Sequence, residues 1–140
     1  MLVAGNIQGN VDQTVAMEIV LENVTTGLSG FQLTVRVTDP NVATIESIVF
    51  NPGYVDLITG FSFNSTIPSP PTASTTVTAV DLGAAIQPDS PRPYVLLTLK
   101  IRLLSAGTTS VTVSNIGKLN DDSGADILVA QAIPGSVTVN

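Results

Sequence analysis

Hydrophobic and polar residues alternate with period two along several stretches of this chain, the pattern of strands that bury one face. In TVAMEIVLE, Val15, Met17, Ile19 and Leu21 share one face, and Thr14, Ala16, Glu18, Val20 and Glu22 share the other. GLSGFQLTVRV places Phe31, Leu33, Val35 and Val37 inward, with Gln32, Thr34 and Arg36 outward. VLLTLKIRL places Val95, Leu97, Leu99, Ile101 and Leu103 inward, with Leu96, Thr98, Lys100 and Arg102 outward. SVTVSNI and GSVTV are shorter versions, and TTVTAVDL carries the pattern with less distinct faces. VATIESIVF is open between a strand and a short helical turn, and its Val, Thr, Ile and Phe content favours the strand.

The intervening segments carry turn chemistry. TDPN at 38–41 and NPGY at 51–54 combine Pro, which fixes φ, with Asn or Gly, which tolerate positive φ. IPSPPTAS at 67–74 and QPDSPRP at 87–93 are too rich in Pro for a sheet interior. NDDSGAD at 120–126 reads as an exposed turn between two strands. Roughly eight or nine short strands, each with one apolar face, describe a two-sheet antiparallel sandwich. A closed barrel has the same local signature and stays open as an alternative.

Composition narrows the chemistry. A chain of 140 residues suits one domain, 1–140, and reads as a domain excised from a longer protein. The start, MLVAGNIQGN, has neither the basic region nor the apolar stretch of a signal peptide. The net charge is −6, and Arg36, Arg92, Lys100, Arg102 and Lys118 do not cluster in sequence. Nucleic acid and anionic membrane surfaces, which need a basic stripe, are therefore not expected as partners. With no Cys and no His, the chain can build neither a thiolate nucleophile, nor a Ser-His-Asp triad, nor a Cys- or His-ligated metal site. Paired carboxylates could support glycoside hydrolysis, but the acids fall at predicted turns and exposed strand positions, and no enzyme is expected.

Taken in order, QTVAMEIVLENV, GLSGFQLTVRVTDPN, VTAVDLG, YVLLTLKIRLLSAGTTSVTVSNI and the final GSVTV resemble a cohesin domain over nearly the whole chain. The most specific pieces are Gly30-Phe31 opening a strand that runs into Asp39-Pro40-Asn41, and VLLTLKIRL followed by a Gly turn and VTVSNI. The resemblance implies an all-β, nine-stranded, two-sheet antiparallel sandwich of jelly-roll topology. It also implies a non-catalytic receptor for a dockerin, a small calcium-binding helical module. No cofactor is implied here, because the calcium belongs to the dockerin. The partner-bearing sheet would be built from strands matching 31–37, 75–81, 94–103 and the strand around 127–132. The contact residues expected on it are Gly30, Gln32, Thr34 and Arg36, then Val80, Asp81, Leu82 and Gly83, then Leu96 and Thr98, and finally Leu128. Gly30 and Gln32 stand where many cohesins carry an Asn and an acidic residue, and Thr38 is an extra residue before the Asp-Pro turn.

Other readings concern individual residues. A sheet face of Gln32, Thr34 and Arg36 could equally be solvated, since antiparallel sheets commonly face water on one side. NDDSGAD fails as an EF-hand loop, because Asp126 or Ile127 would occupy the Gly position. Carbohydrate binding is the rival function for a sandwich of this size, but it usually stacks a sugar on an aromatic ring. The chain has no Trp and offers Tyr54, Tyr94 and the pair Phe61 and Phe63, which lie two apart and are equally suited to a core. A structural module of a cell-surface or adhesive protein is a third reading. Asn23-Val24-Thr25 and Asn64-Ser65-Thr66 fit the N-glycosylation sequon and are compatible with the extracellular or cell-surface location expected for the chain.

Overall fold

A computed structural model of the chain describes residues 2–22, 30–50, 61–67, 71–81, 94–114 and 132–140, and strands alone make up the regular structure of these described residues. Residues 30, 50, 61–67 and 78–81 are described as backbone only. The strands are β1 (Leu2–Ala4), β2 (Ile7–Gly9), β3 (Thr14–Leu21), β4 (Gly30–Val37), β5 (Ala43–Phe50), β6 (Phe61–Ile67), β7 (Ser74–Asp81), β8 (Tyr94–Leu103), β9 (Gly107–Ser114), β10 (Ala132–Ile133) and β11 (Gly135–Val139). One sheet has the order β10-β1-β3-β8-β5 and the other β2-β11-β9-β4-β7-β6.

The two sheets share one core. β3 contributes Met17, Ile19 and Leu21, and β8 contributes Leu97, Leu99, Ile101 and Leu103, all buried. Facing them are Phe31, Leu33, Val35 and Val37 of β4, Val77 of β7, Val111 of β9, and Val137 and Val139 of β11. These are the alternating residues of the sequence, so period-two burial against a second sheet is what the sandwich realises. VATIESIVF forms β5, which buries Ala43 and Ile45.

Both chain ends cross from one sheet to the other. β1 and β2 flank Gly5-Asn6, and β10 and β11 flank Pro134, so each end contributes a short strand to each sheet. Among the described residues, counting each interrupted terminal strand once gives nine strands. β1 runs parallel to β10, and β2 runs parallel to β11. The sheets are therefore mixed rather than purely antiparallel, because ends distant in sequence can pair side by side without a hairpin. The crossover is well satisfied, with Gly5 N donating to Glu18 O at 3.2 Å and Ser136 N donating to Asn6 Oδ1 at 3.0 Å.

A third link joins the sheets near the start of β7. Ile45 of β5 and Thr72 exchange both backbone hydrogen bonds, at 2.9 and 3.0 Å, and the next carbonyl, that of Ala73, accepts from Val37 N at 2.7 Å. The TDPN turn forms as expected. Asp39 Oδ1 accepts from Asn41 N at 3.0 Å, and the Asp39 carbonyl accepts from Val42 N at 3.2 Å.

Two sequence expectations are corrected here. Strand 94–103 is not in the sheet of 31–37; β8 lies between β3 and β5 in the opposite sheet. The described part of the strand expected around 127–132 is β10, which also belongs to that opposite sheet. Second, Leu96 faces the core, at 1% exposure, and Val95 is the half-buried residue. The reason is a β-bulge: Ile19 pairs with Leu97 while Val20 pairs with Val95, so Leu96 is an extra residue that shifts the alternation by one.

Candidate functional site

The outer face of the second sheet is paved with hydroxyl groups. Along β4, Gln32 and Thr34 are half-buried and Arg36 is exposed, while the residues between them are core. The pairing extends this row on both sides. On β7, Thr76 lies opposite Thr34 and Ser74 opposite Arg36, and Thr78 holds the register position opposite Gln32. On β9, Ser114 lies opposite Thr34 and Thr112 opposite Arg36. The row continues onto β11, where Ser136 pairs with Ser110 and Thr138 with Thr108. Directly opposed residues in neighbouring strands have β-carbons about 4.5–5.5 Å apart, so the described side chains among these form a continuous lattice.

Side-chain hydrogen bonds order parts of this lattice. Thr34 Oγ1 and Thr76 Oγ1 are 3.0 Å apart across β4 and β7. At the end of β4, Thr38 Oγ1 lies 2.9 Å from Ser110 Oγ and 3.0 Å from Thr109 Oγ1. It also accepts from Ser110 N at 3.2 Å. Thr109 Oγ1 in turn accepts from Asp39 N at 2.8 Å. The extra residue before the Asp-Pro turn therefore ties the end of β4 to β9. β-branched and hydroxylated residues suit a flat pleated surface, and cross-strand Thr pairs hold their hydroxyls in fixed directions.

The other expected contact residues divide into three groups. Gly30 is in β4 and pairs with Val80 of β7, and Asp81 ends β7 opposite Phe61 of β6, so all three hold backbone positions in the same sheet as Gln32. Leu82, Gly83 and Leu128 lie outside the described residues, as does NDDSGAD. Leu96 and Thr98 belong to the opposite sheet, Leu96 in its core and Thr98 between Glu18 and Val49. They cannot share a surface with Gln32, Thr34 and Arg36. In their place the structure brings in Ser110, Thr112 and Ser114 of β9. The alternation in SVTVSNI already gives β9 this outward face, but nothing local in it says which sheet β9 joins.

The sequon residue Asn64 pairs with Ala79 within β6, an edge strand. A bulge falls between Phe61 and Phe63, so their spacing of two does not follow a regular pleat. Among the described residues, no group of three His, Cys, Asp or Glu residues could hold a metal ion. The only ion pair among them is Arg102–Asp12 at 3.6 Å, which joins β8 to the turn before β3 on the far side of the sandwich.

No family model and no curated protein matches the chain. Solved structures do. The chain is similar to CaCohA2 from Clostridium acetobutylicum, with a TM-score of 0.77 and 21% identity over 99% of this chain and 89% of that one. It is similar to a non-cellulosomal cohesin from the hyperthermophilic archaeon Archaeoglobus fulgidus, with a TM-score of 0.76 and 16% identity over 100% and 90% of the two chains. It is similar also to the Coh-OlpA–Doc918 type I cohesin–dockerin complex from Clostridium thermocellum, with a TM-score of 0.76 and 13% identity over 99% and 97%. Likeness of this extent at such low identity lies in the path of the backbone, and the chain has the jelly-roll sandwich fold of the cohesin domains.

Proposed function

We propose that this chain is a non-catalytic docking module that binds a dockerin-type domain on the outer face of β9, β4 and β7. The observation that carries the reading is the ordered hydroxyl lattice around Thr34 and Thr76, on a domain whose fold is that of cohesins captured with dockerins. A flat face of short polar side chains offers many hydrogen-bonding groups with little side-chain entropy to lose, so a helical partner could seat on it at low ordering cost. Gln32, Thr34 and Arg36 would be the central contacts, with Gly30, Val80 and Asp81 along the same strand pair. Leu82, Gly83 and Leu128, outside the described residues, would be further contacts of the same partner.

In this reading the chain does no chemistry and holds no cofactor, and the calcium is the dockerin's. The domain would act outside the cell or at its surface, as one module, 1–140, of a longer protein. The experiment is a calorimetric titration against dockerin domains encoded in the same genome, with calcium and with calcium removed. Saturable one-to-one binding that is lost on chelation is the expected result. Absence of binding to every dockerin, together with binding to a polysaccharide, would replace this reading with the carbohydrate module.

A further inference from the structure

Formal charge is distributed unevenly over the two faces of the sandwich. The outward side chains described on β11, β9, β4 and β7 are Ser, Thr, Gln and one Arg, with no carboxylate among them. The opposite sheet carries Glu18, Glu46, Lys100 and Arg102 on its strands. Arg36 is thus the lone described cation on the hydroxyl lattice of a chain whose net charge is −6.

Arg36 is exposed and makes no ion pair among the described residues. Ser74 and Thr112 flank it, and neither can neutralise a guanidinium. The nearest described carboxylate along the chain, Asp39, turns into its own loop and accepts from Asn41 N at 3.0 Å. Asp81 lies at the far end of β7 from Ser74. A planar fork of five donors, set in a neutral field of hydroxyls, matches a carboxylate bidentately and gives that contact orientation as well as energy.

We infer that Arg36 is the specificity-determining charge of this face and that the docking partner presents an Asp or Glu side chain to it. This rests on the docking reading above. The other described side chains of the lattice are neutral and would accept many polar surfaces, so Arg36 is the charge among them that would separate partners: an acidic contact is favoured and a basic one at the same place is repelled.

The test uses a calcium-loaded dockerin that binds the wild-type domain, with Arg36→Gln, Arg36→Lys and Arg36→Glu variants whose thermal melts are checked first. Arg36→Gln should weaken binding about tenfold at low salt, the loss shrinking toward about twofold at 0.5 M NaCl as screening removes the ion pair. Arg36→Lys should recover part of the loss. Arg36→Glu should bind still more weakly, and changing the dockerin's carboxylates one at a time to Lys should identify one that restores binding to that variant alone. Binding of Arg36→Gln and Arg36→Glu within twofold of wild type would overturn the inference and leave the docking reading standing. Failure of the wild-type domain to bind any dockerin would overturn the docking reading and the inference with it.

Discussion

Gly135 packs against Gly5 so closely that a β-carbon at position 135 would overlap the Gly5 carbonyl oxygen. The same β-carbon would stand 3.0 Å from both Ala4 Cβ and Met17 Cε. This contact sits where the first and last strands cross between sheets, so the absence of a side chain there is what lets the two crossovers pass. Gly135→Ala should destabilise the domain by about 2–3 kcal/mol, the upper part of the range for overpacking, because backbone cannot yield as a side chain can. Chemical denaturation would measure it. The neighbouring exposed Ser136→Ala is the control, expected within about 0.5 kcal/mol of wild type.

Asp12 has φ +71°, the one positive value among the described residues other than glycine. It sits third in the turn closed by Gln13 N donating to Asn10 O at 3.1 Å, the position at which a type II turn calls for positive φ. Asp12→Gly should therefore raise stability by about 0.5–1 kcal/mol, since left-handed backbone costs a residue with a β-carbon more than it costs glycine. The pair with Arg102 is lost in that variant, but at 43% and 79% side-chain exposure it is a solvated contact and offsets little of the gain. A higher midpoint in thermal melts is the expected outcome.

The faces of β3 and β4 were legible in the sequence because each buries alternate residues without interruption, from Met17 to Leu21 and from Phe31 to Val37. β8 was legible as a strand but not at its start, where the bulge at Leu96 shifts the phase and no local residue announces it. Sheet membership was the larger gap. Alternation reports that a residue is buried, not which sheet buries it, so β8 and β9 could be exchanged without violating any pattern. The short terminal strands, Leu2–Ala4 and Ile7–Gly9, were not legible either, since three residues are too few to show a period. Of the expected contact residues, Gln32, Thr34 and Arg36 share the polar face because one uninterrupted strand places them there.

Thr34 is half-buried, and its outer neighbours are hydroxyls, so Thr34→Glu sets a carboxylate in the middle of the proposed docking face. Docking should fall at least tenfold by calorimetry, because the charge must be desolvated on binding. The loss of stability should be about 1 kcal/mol, the size of one cross-strand hydrogen bond, since the new side chain still reaches water. Unfolding of the variant would instead place Thr34 on the core side.

Leu96 and Thr98 separate the two faces of the sandwich by experiment. Leu96 is 1% exposed, so Leu96→Ala should cost about 2–5 kcal/mol through the cavity it leaves. Any weakening of dockerin binding should then disappear when the variant is measured at a temperature where it is fully folded. Thr98 lies on the outer surface of the opposite sheet, between Glu18 and Val49. Thr98→Glu should therefore leave dockerin affinity within twofold of wild type, whereas the same residue placed at Thr112, beside Arg36, should reduce it by tenfold or more, because its carboxylate occupies the Arg36 guanidinium and repels the partner's acidic side chain. A dockerin that loses affinity for the Thr98 variant and not for the Thr112 variant would move the docking face to the sheet of β3, β8 and β5.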